Sequence, residues 1–246
     1  LAYRDLADVY FSLGKNQIAD SLYQTSLDYF LSLDAPQAFQ LSQTYYVYGQ
    51  FLIEQKVDLV RGEQYLANAI NNWYLQYNGR SFYLSAPLNI LGTHYLNNGK
   101  INQGLDSLQS SLCNSADRFC NTDIYVNPTA DEIPNTPDFN NALAWKAYGF
   151  YLLYLETNSI ADLRMSFDTY KFYIYCVNEL RRNYDQIESL QSSKQNHYVY
   201  NQAIDVGYIL YSKTNDENVI SEIFNFIEGK KSFTLYQSLN ILEKKK

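Results

Sequence analysis

The sequence predicts an all-α fold: a solenoid of antiparallel helix hairpins with a period of about 42 residues. The first observation is the segment 88–112, in which Leu91, Gly92 and Tyr95 stand before a turn at Gly99. The second is that the same order recurs 85 residues earlier without a gap, with a partial copy about halfway between. Such recurrence is the signature of a repeat protein, in which neighbouring hairpins bury each other's apolar faces.

Each copy places small residues where two helices would meet. Leu91 and Tyr95 share one helix face, and Gly92 lets the second helix approach closely. Gly99 favours the left-handed conformation that ends a helix. The aligned positions are Leu6, Ala7, Tyr10, Gly14, Ala19, Tyr23 and Ser26, then Tyr48, Gly49, Gly62, Leu66 and Ala69, and finally Leu91, Gly92, Tyr95, Gly99, Gly104, Leu108 and Ser111.

The elements follow from this register. We predict hairpins at about 1–33, 35–77, 80–120, 139–183 and 184–229, then a terminal helix at 230–246, all within one solenoid domain, 1–246. Asp58 is a predicted N-cap, and Pro87 places the start of the fifth helix near Ser85. In the return helix after residue 216, Phe224 and Ile227 are expected to point inward. Because the sequence opens at Leu1 inside the first repeat, we expect it to be a piece of a longer protein.

The segment 121–138 interrupts the helical pattern. Pro128, Pro134 and Pro137 stand there among Asn, Asp and Thr, and no periodicity survives. A weaker fourth copy of the repeat resumes 59 residues after the third, so the loop accounts for the surplus over one period. We therefore expect an excursion from the hairpins that could be shortened with little loss of stability.

Composition and charge exclude several classes of partner. The net charge is −7 and the pI about 4.8, which argues against a nucleic-acid surface. No apolar run reaches the length of a membrane span, so no membrane partner is expected. Three cysteines fit no metal spacing, and reduced thiols in a cytoplasmic protein are favoured, with a bridge between Cys113 and Cys120 as the alternative.

No catalytic constellation stands out. His94 lies inside the repeat pattern, and His197 has no acidic or Cys neighbour one helical turn away. A dyad of Cys176 with His197 stays open but has no support. Phosphate-binding glycine loops and the common hydrolase motifs are absent from the sequence. We predict that this piece is not an enzyme and binds no cofactor.

The order Leu91-Gly92-x-x-Tyr95, followed by the small residue Gly104, the apolar Leu108 and the small Ser111, resembles the tetratricopeptide (TPR) pattern. The resemblance implies a right-handed superhelix whose concave groove holds a protein or peptide. Carried onto this sequence, the groove positions are Arg4, Asp8, Phe11, Tyr46, Gln50, Ile53, Asn89, Thr93, Leu96, Trp145, Tyr148 and Leu152. Such a wall is aromatic and amide-rich with little charge; alternatively, Tyr46, Trp145 and Tyr148 pack against the next hairpin.

The last third of the chain has a narrower resemblance. Leu143-Ala144-x-Lys146-Ala147 and Ile223-Phe224-x-x-Ile227-Glu228-x-x-Lys231-Ser232 are similar to the helical region before the caspase-like CHAT domain of bacterial TPR–CHAT proteins. This implies an interaction or regulatory module attached to a protease domain beyond Lys246. The alternative is a peptide-sensing TPR receptor that binds a short signalling peptide in its groove.

Overall fold

A computed structural model describes the backbone of residues 2–33, 37–134, 136–183 and 190–243. Over these ranges the chain is helical and contains no strand, which confirms the all-α repeat fold. The helices are α1 (Ala2–Ser12), α2 (Asn16–Leu31), α3 (Ala38–Glu54), α4 (Leu59–Gln76), α5 (Ser85–Asn97), α6 (Ile101–Ser115), α7 (Pro137–Thr157), α8 (Ile160–Asn183), α9 (Leu190–Thr214) and α10 (Glu217–Glu243). Short 3-10 helices lie at Phe82–Leu84 and Ala130–Glu132.

The predicted helix ends depend on residues whose conformations the structure shows. Gly14 and Gly99 both end their helices with positive φ, +70° and +72°. The Asp58 side chain accepts a hydrogen bond from the Arg61 amide at 3.0 Å, which confirms it as the N-cap of α4. The start of α5 at Ser85 is likewise confirmed, with Pro87 in the first turn, where a missing N–H costs no helical hydrogen bond.

Two sequence expectations about the C-terminal helices are wrong. Helix α10 runs unbroken past Gly229 to Glu243, so there is no separate terminal helix at 230–246. A single glycine costs a helix only about 1 kcal/mol, and neither a proline nor a polar turn accompanies it here. The inward register is also shifted, because Ile223 and Phe226 are buried whereas Phe224 is 63% exposed. The predicted helix start near Tyr184 lies outside the described residues.

The chain forms two compact units, residues 1–124 and 125–246. In the first unit, hairpins α1–α2, α3–α4 and α5–α6 pack in sequence order. The predicted knob positions, Tyr23, Leu66 and Leu108, are each at most 1% exposed. Leu6 is 44% exposed whereas its repeat equivalents Tyr48 and Leu91 are buried.

Paired small residues set the distance between the two helices of a hairpin. A Cβ built on Gly92 would lie 2.6 Å from Leu108 Cγ and 3.1 Å from the Gly104 carbonyl oxygen. A Cβ on Gly49 would similarly lie 3.0 Å from Leu66 Cγ and 3.1 Å from the Gly62 carbonyl oxygen. The backbones therefore touch in both hairpins, at the same repeat position.

In the second unit, the fourth copy of the repeat is present although its residues are larger. Phe150, Leu163, Phe167 and Tyr170 are all at most 2% exposed. In this unit the close contact between helices is at Gly207 of α9, where a Cβ would lie 2.7 Å from Ile223 and 2.9 Å from Phe167. Large side chains in α8 are thus accommodated by a small residue in the following helix.

The expectation that 121–138 is an excursion needs correction, because residues 125–127 belong to the packed structure of the second unit. The Tyr125 ring lies 5.0 Å from that of Phe150, and its hydroxyl donates to Asp162 at 2.7 Å. Lys146 of α7 is fully buried and donates to the Val126 carbonyl at 2.8 Å and to Asn127 at 2.9 Å. Polar groups hidden from water need such partners, so the segment is held in place.

This segment covers a position that a hairpin covers elsewhere. Phe150 is the equivalent of Leu91 and of Tyr48 in the repeat register. Leu91 packs in one cluster with Ile53 and Leu66 of the preceding hairpin. At the corresponding place on α7, the aromatic cover comes from Tyr125. We call residues 125–134 the covering segment.

Candidate interaction surface

In the first unit, the predicted groove positions begin with a polar network across α1, α2 and α3. Arg4 donates to Gln40 of α3 at 3.3 Å, and its side chain is only 14% exposed. Asp8 is exposed and accepts from the Tyr23 hydroxyl at 2.5 Å. These contacts hold both side chains of α1 in fixed positions on the helix surface.

The neighbouring part of this surface comes from α3 and α5. Gln50 is half-buried and donates to Glu54 at 2.7 Å, four residues later on the same face. Thr93 of α5 is also half-buried. We call Arg4, Asp8, Gln50, Glu54 and Thr93 the polar face of the first unit.

Other predicted groove residues belong to the core. Ile53 and Leu96 are 9% and 3% exposed, and each packs against the glycine of its own hairpin partner, Gly62 or Gly104. Asn89 is 8% exposed. These three positions are corrected: a ligand on the surface would not reach them.

The aromatic positions of the first unit pack both within and between hairpins and remain partly accessible. Phe11 meets Phe51 edge-on, with ring centroids 5.4 Å apart. Tyr46 is half-buried, with its ring 5.9 Å from that of Trp73, and it also packs against the cluster that contains Leu91. Tyr46 therefore contributes to the junction between the second and third hairpins, in line with the alternative in which it packs against the next hairpin.

In the second unit, Trp145, Tyr148 and Leu152 follow one another along α7. All three are half-buried, and the rings of Trp145 and Tyr148 meet edge-on at 5.8 Å. A half-buried aromatic pair offers apolar surface and a polar edge, which suits contact with another protein. This surface is described on its own, because it belongs to a different unit.

Sequence reasoning missed the acidic character of the polar face. Asp5, Asp8 and Glu54 are exposed, whereas the one cation among them, Arg4, is largely covered and is engaged by Asp5 at 3.5 Å. The sequence signal was available, since Glu54 stands four residues after Gln50 and so shares its helix face. Glu54 thus adds an exposed carboxylate beside the predicted groove positions.

Polar junctions join consecutive hairpins at a second repeated position. Asp20 of α2 accepts from the Tyr48 hydroxyl at 2.7 Å, and Arg61 approaches it at 3.5 Å. One period later, Glu63 of α4 lies 2.8 Å from His94 Nε2 and 3.7 Å from Lys100. Burial, followed by the bond to Asp20, raises the pKa of Tyr48 well above its usual range.

His94 is thus a packing residue, as its position in the repeat predicted. It is 6% exposed and is held between Glu63 and Asn98. The thiol of Cys176 is completely buried, and this burial raises its pKa to about 12. A thiol in that environment stays protonated at neutral pH and is a poor nucleophile.

The described ranges hold neither a metal-binding cluster nor a membrane-spanning helix. No group of three or more His, Cys, Asp or Glu side chains there is placed to hold a metal ion. None of the helices, as far as they are described, is both long and apolar enough to cross a membrane.

Comparison with solved structures identifies the architecture. A Podosopora anserina protein assigned as a kinesin light chain, with nearly identical TPR-like repeats, superposes with a TM-score of 0.61 over 96% of this chain and 95% of its own. The chain has a TPR-like repeat fold. The Q17M variant of that protein gives a TM-score of 0.63 over the same shares, and in both cases the sequences are 10% identical. No protein-family model matches this sequence, and no curated protein matches it.

Proposed function

We propose that this chain is a non-catalytic protein–protein interaction module that binds an extended or helical peptide segment of a partner on the polar face of the first unit. The observation that carries the proposal is the exposed pair Asp8 and Glu54, held by Tyr23 and Gln50 at 2.5 and 2.7 Å. Each carboxylate keeps further acceptor capacity after these bonds. Their fixed positions lower the entropy that binding would otherwise lose.

The chemistry of the face indicates the kind of partner. Two accessible carboxylates, with the Gln50 amide beside Glu54, match a peptide that carries Lys or Arg side chains among free backbone N–H groups. The half-buried pair of Trp145 and Tyr148 is a separate apolar surface of the second unit. The TPR-like fold supports the proposal, since such repeats present helix faces for recognition.

Site-specific photo-crosslinking tests the proposal. A benzophenone amino acid replaces Gln50 on the polar face or, as the control, Val60, which is 79% exposed on α4. We expect a partner from the native cell extract to be crosslinked from position 50 and not from position 60. The double variant Asp8→Asn and Glu54→Gln keeps shape and hydrogen-bond acceptors but removes charge, so it should lose the crosslink while melting like the parent.

Equal crosslinking from both positions, or crosslinking that survives the double variant, would contradict the proposed surface. Raising the salt concentration gives an independent check, because screening weakens contacts to exposed carboxylates. A crosslink from position 50 that is insensitive to salt would show that the partner contacts the face without recognising its charge.

A finer proposal is that this module regulates a CHAT-type protease domain in the same chain, in a bacterial cytoplasm. It rests on the sequence resemblance, which includes Glu228 and Lys231. These two residues form an exposed ion pair on α10, with Lys231 Nζ 2.7 Å from Glu228 Oε1. The alternative proposal is a peptide-sensing receptor, which the preorganised polar face would suit. The complete gene separates them: a His/Cys protease domain after Lys246 supports the first, and an upstream output domain supports the second. Three free cysteines are compatible with a reducing compartment.

A further inference from the structure

Two cysteines that are seven positions apart come together at the end of the third hairpin. Cys113 lies in the last turns of α6 and is 4% exposed, whereas Cys120 follows the helix and is exposed. Cys113 Sγ lies 3.3 Å from the carbonyl oxygen of Asn121, the residue that follows Cys120. The reduced pair therefore has one accessible and one sheltered sulfur on the same turn.

The turn between the two cysteines is held by a single arginine. Nη2 of Arg80 lies within hydrogen-bonding distance of three backbone carbonyl oxygens, those of Cys113, Ala116 and Phe119, the last two at 2.6 and 2.8 Å. These carbonyls belong to the end of α6 and to the residues just after it, where helical partners are missing. Arg80 thus fixes the turn that carries both cysteines.

The surroundings of Cys113 also permit loss of its proton. Its thiol donates to the Asn121 carbonyl at 3.3 Å, but that oxygen additionally accepts from Gln109 Nε2 at 2.5 Å. If Cys113 became part of a disulfide, the Asn121 carbonyl would keep its stronger partner. Bridging would not leave a buried polar atom without a hydrogen bond.

We propose that Cys113 and Cys120 form an oxidant-responsive modification site, which reacts with a hydroperoxide and closes a reversible disulfide. Cys120, the accessible sulfur, attacks the peroxide: an S–O bond forms, the O–O bond breaks, and water (or an alcohol) leaves. Cys113 then attacks the sulfenic acid; the S–S bond forms, the S–O bond breaks, and the Cys113 proton leaves with hydroxide as water. Two thiols lose two electrons in total, and the peroxide gains them.

The order of the two steps follows from the two environments. Burial raises the pKa of Cys113 to about 11, so this thiol is a weak first nucleophile. Its position beside the backbone that follows Cys120 suits the second, intramolecular step instead. Closure would tie α6 covalently to the residues that lead to Ile124, the last residue of the first unit.

Cys176 provides an internal control. It is 0% exposed and lies in α8 of the second unit, so a peroxide should not reach it. We expect thiols titrated in denaturant to fall from three to one after the reduced chain is treated with hydrogen peroxide. Trypsin then cuts after Arg118, between the two cysteines, and should release peptides 101–118 and 119–146 joined by a disulfide that dithiothreitol separates.

Three variants complete the test. Cys113→Ser should stop at the sulfenic acid, which dimedone labels at Cys120. After peroxide treatment, Cys120→Ser should still titrate two thiols. The number of titrated thiols in Cys176→Ser should fall from two to none. The proposal is overturned if Cys120 is oxidised to the sulfinic acid while Cys113 stays reduced, if Cys120 instead bridges two chains, or if the linked peptide contains Cys176.

Discussion

The close contact at Gly92 gives a sharp prediction for Gly92→Ala. Alanine favours the interior of a helix over glycine by about 1 kcal/mol, so on propensity alone the variant should be more stable. The structure opposes this, since the new Cβ would lie 2.6 Å from Leu108 Cγ and 3.1 Å from the Gly104 carbonyl oxygen. Leu108 is completely buried and has no space to turn away.

Overpacking of this kind costs roughly 1–3 kcal/mol, and contact with a rigid backbone oxygen places Gly92→Ala in the upper half of that range. After the gain in propensity, we expect a net loss of about 1–2 kcal/mol, or roughly 2–8 °C in the melting temperature. Thermal melting followed by circular dichroism measures it. The matched control is Gly229→Ala in α10, where the nearest atom is the Tyr200 hydroxyl at 3.2 Å, the end of a side chain. A variant at Gly92 that melts at or above the parent temperature would refute the close packing of α5 on α6.

Three further perturbations test contacts described above. Tyr125→Ala should destabilise the second unit by about 1–2 kcal/mol in a urea titration. Tyr125→Phe should cost about half as much, because this variant loses only the hydrogen bond to Asp162. An unchanged urea midpoint would show that the covering segment does not stabilise the unit. Lys146→Met should cost about 2–4 kcal/mol, since Val126 and Asn127 lose a buried donor, and a neutral result would contradict that role. Burial and bonds to carboxylates raise the pKa values of Tyr23 and Tyr48 well above 10. The folded state therefore favours the protonated phenols, so the free energy of unfolding should be retained below about pH 10 and should fall as the pH rises further. The double variant Tyr23→Phe and Tyr48→Phe should lose less stability over this pH range. If it loses as much as the parent, groups other than these two phenols cause the loss.

The repeat register was predictable because it depends on local rules that the sequence states directly. The pattern indicates two closely packed helices joined by a turn, with small residues at 92 and 104, a glycine at 99 and a large residue at 108. The same holds for the Asp58 cap and for the start at Ser85. Each of these features is decided within about one helical turn.

The surface was less predictable, because exposure depends on small rotations of a helix. Ile53 and Leu96 lie one position before Glu54 and Asn97, yet the former are buried and the latter exposed. One residue corresponds to 100° around a helix, so a register error of that size exchanges core and surface. The pairing of Arg4 with Gln40 joins residues 36 positions apart and could not be read from either helix alone.

The covering segment was misread for a different reason. Proline and polar residues correctly indicated the loss of helical structure between 121 and 134, but they say nothing about packing. The deciding group was Lys146, whose burial no local sequence pattern indicates. Its complete burial requires oxygen partners, and these are residues 126 and 127 of the supposed excursion.

The covering segment also bears on how unfolding would spread. In a linear array, the stability of each hairpin is coupled to its neighbour through their shared apolar interface, so melting propagates one element at a time. At Phe150 an aromatic contact of this kind is made by Tyr125, a residue of the same unit. The amide hydrogens of α7 and α8 would then exchange together with those of the covering segment, with a protection that depends on Tyr125, Lys146 and Asp162.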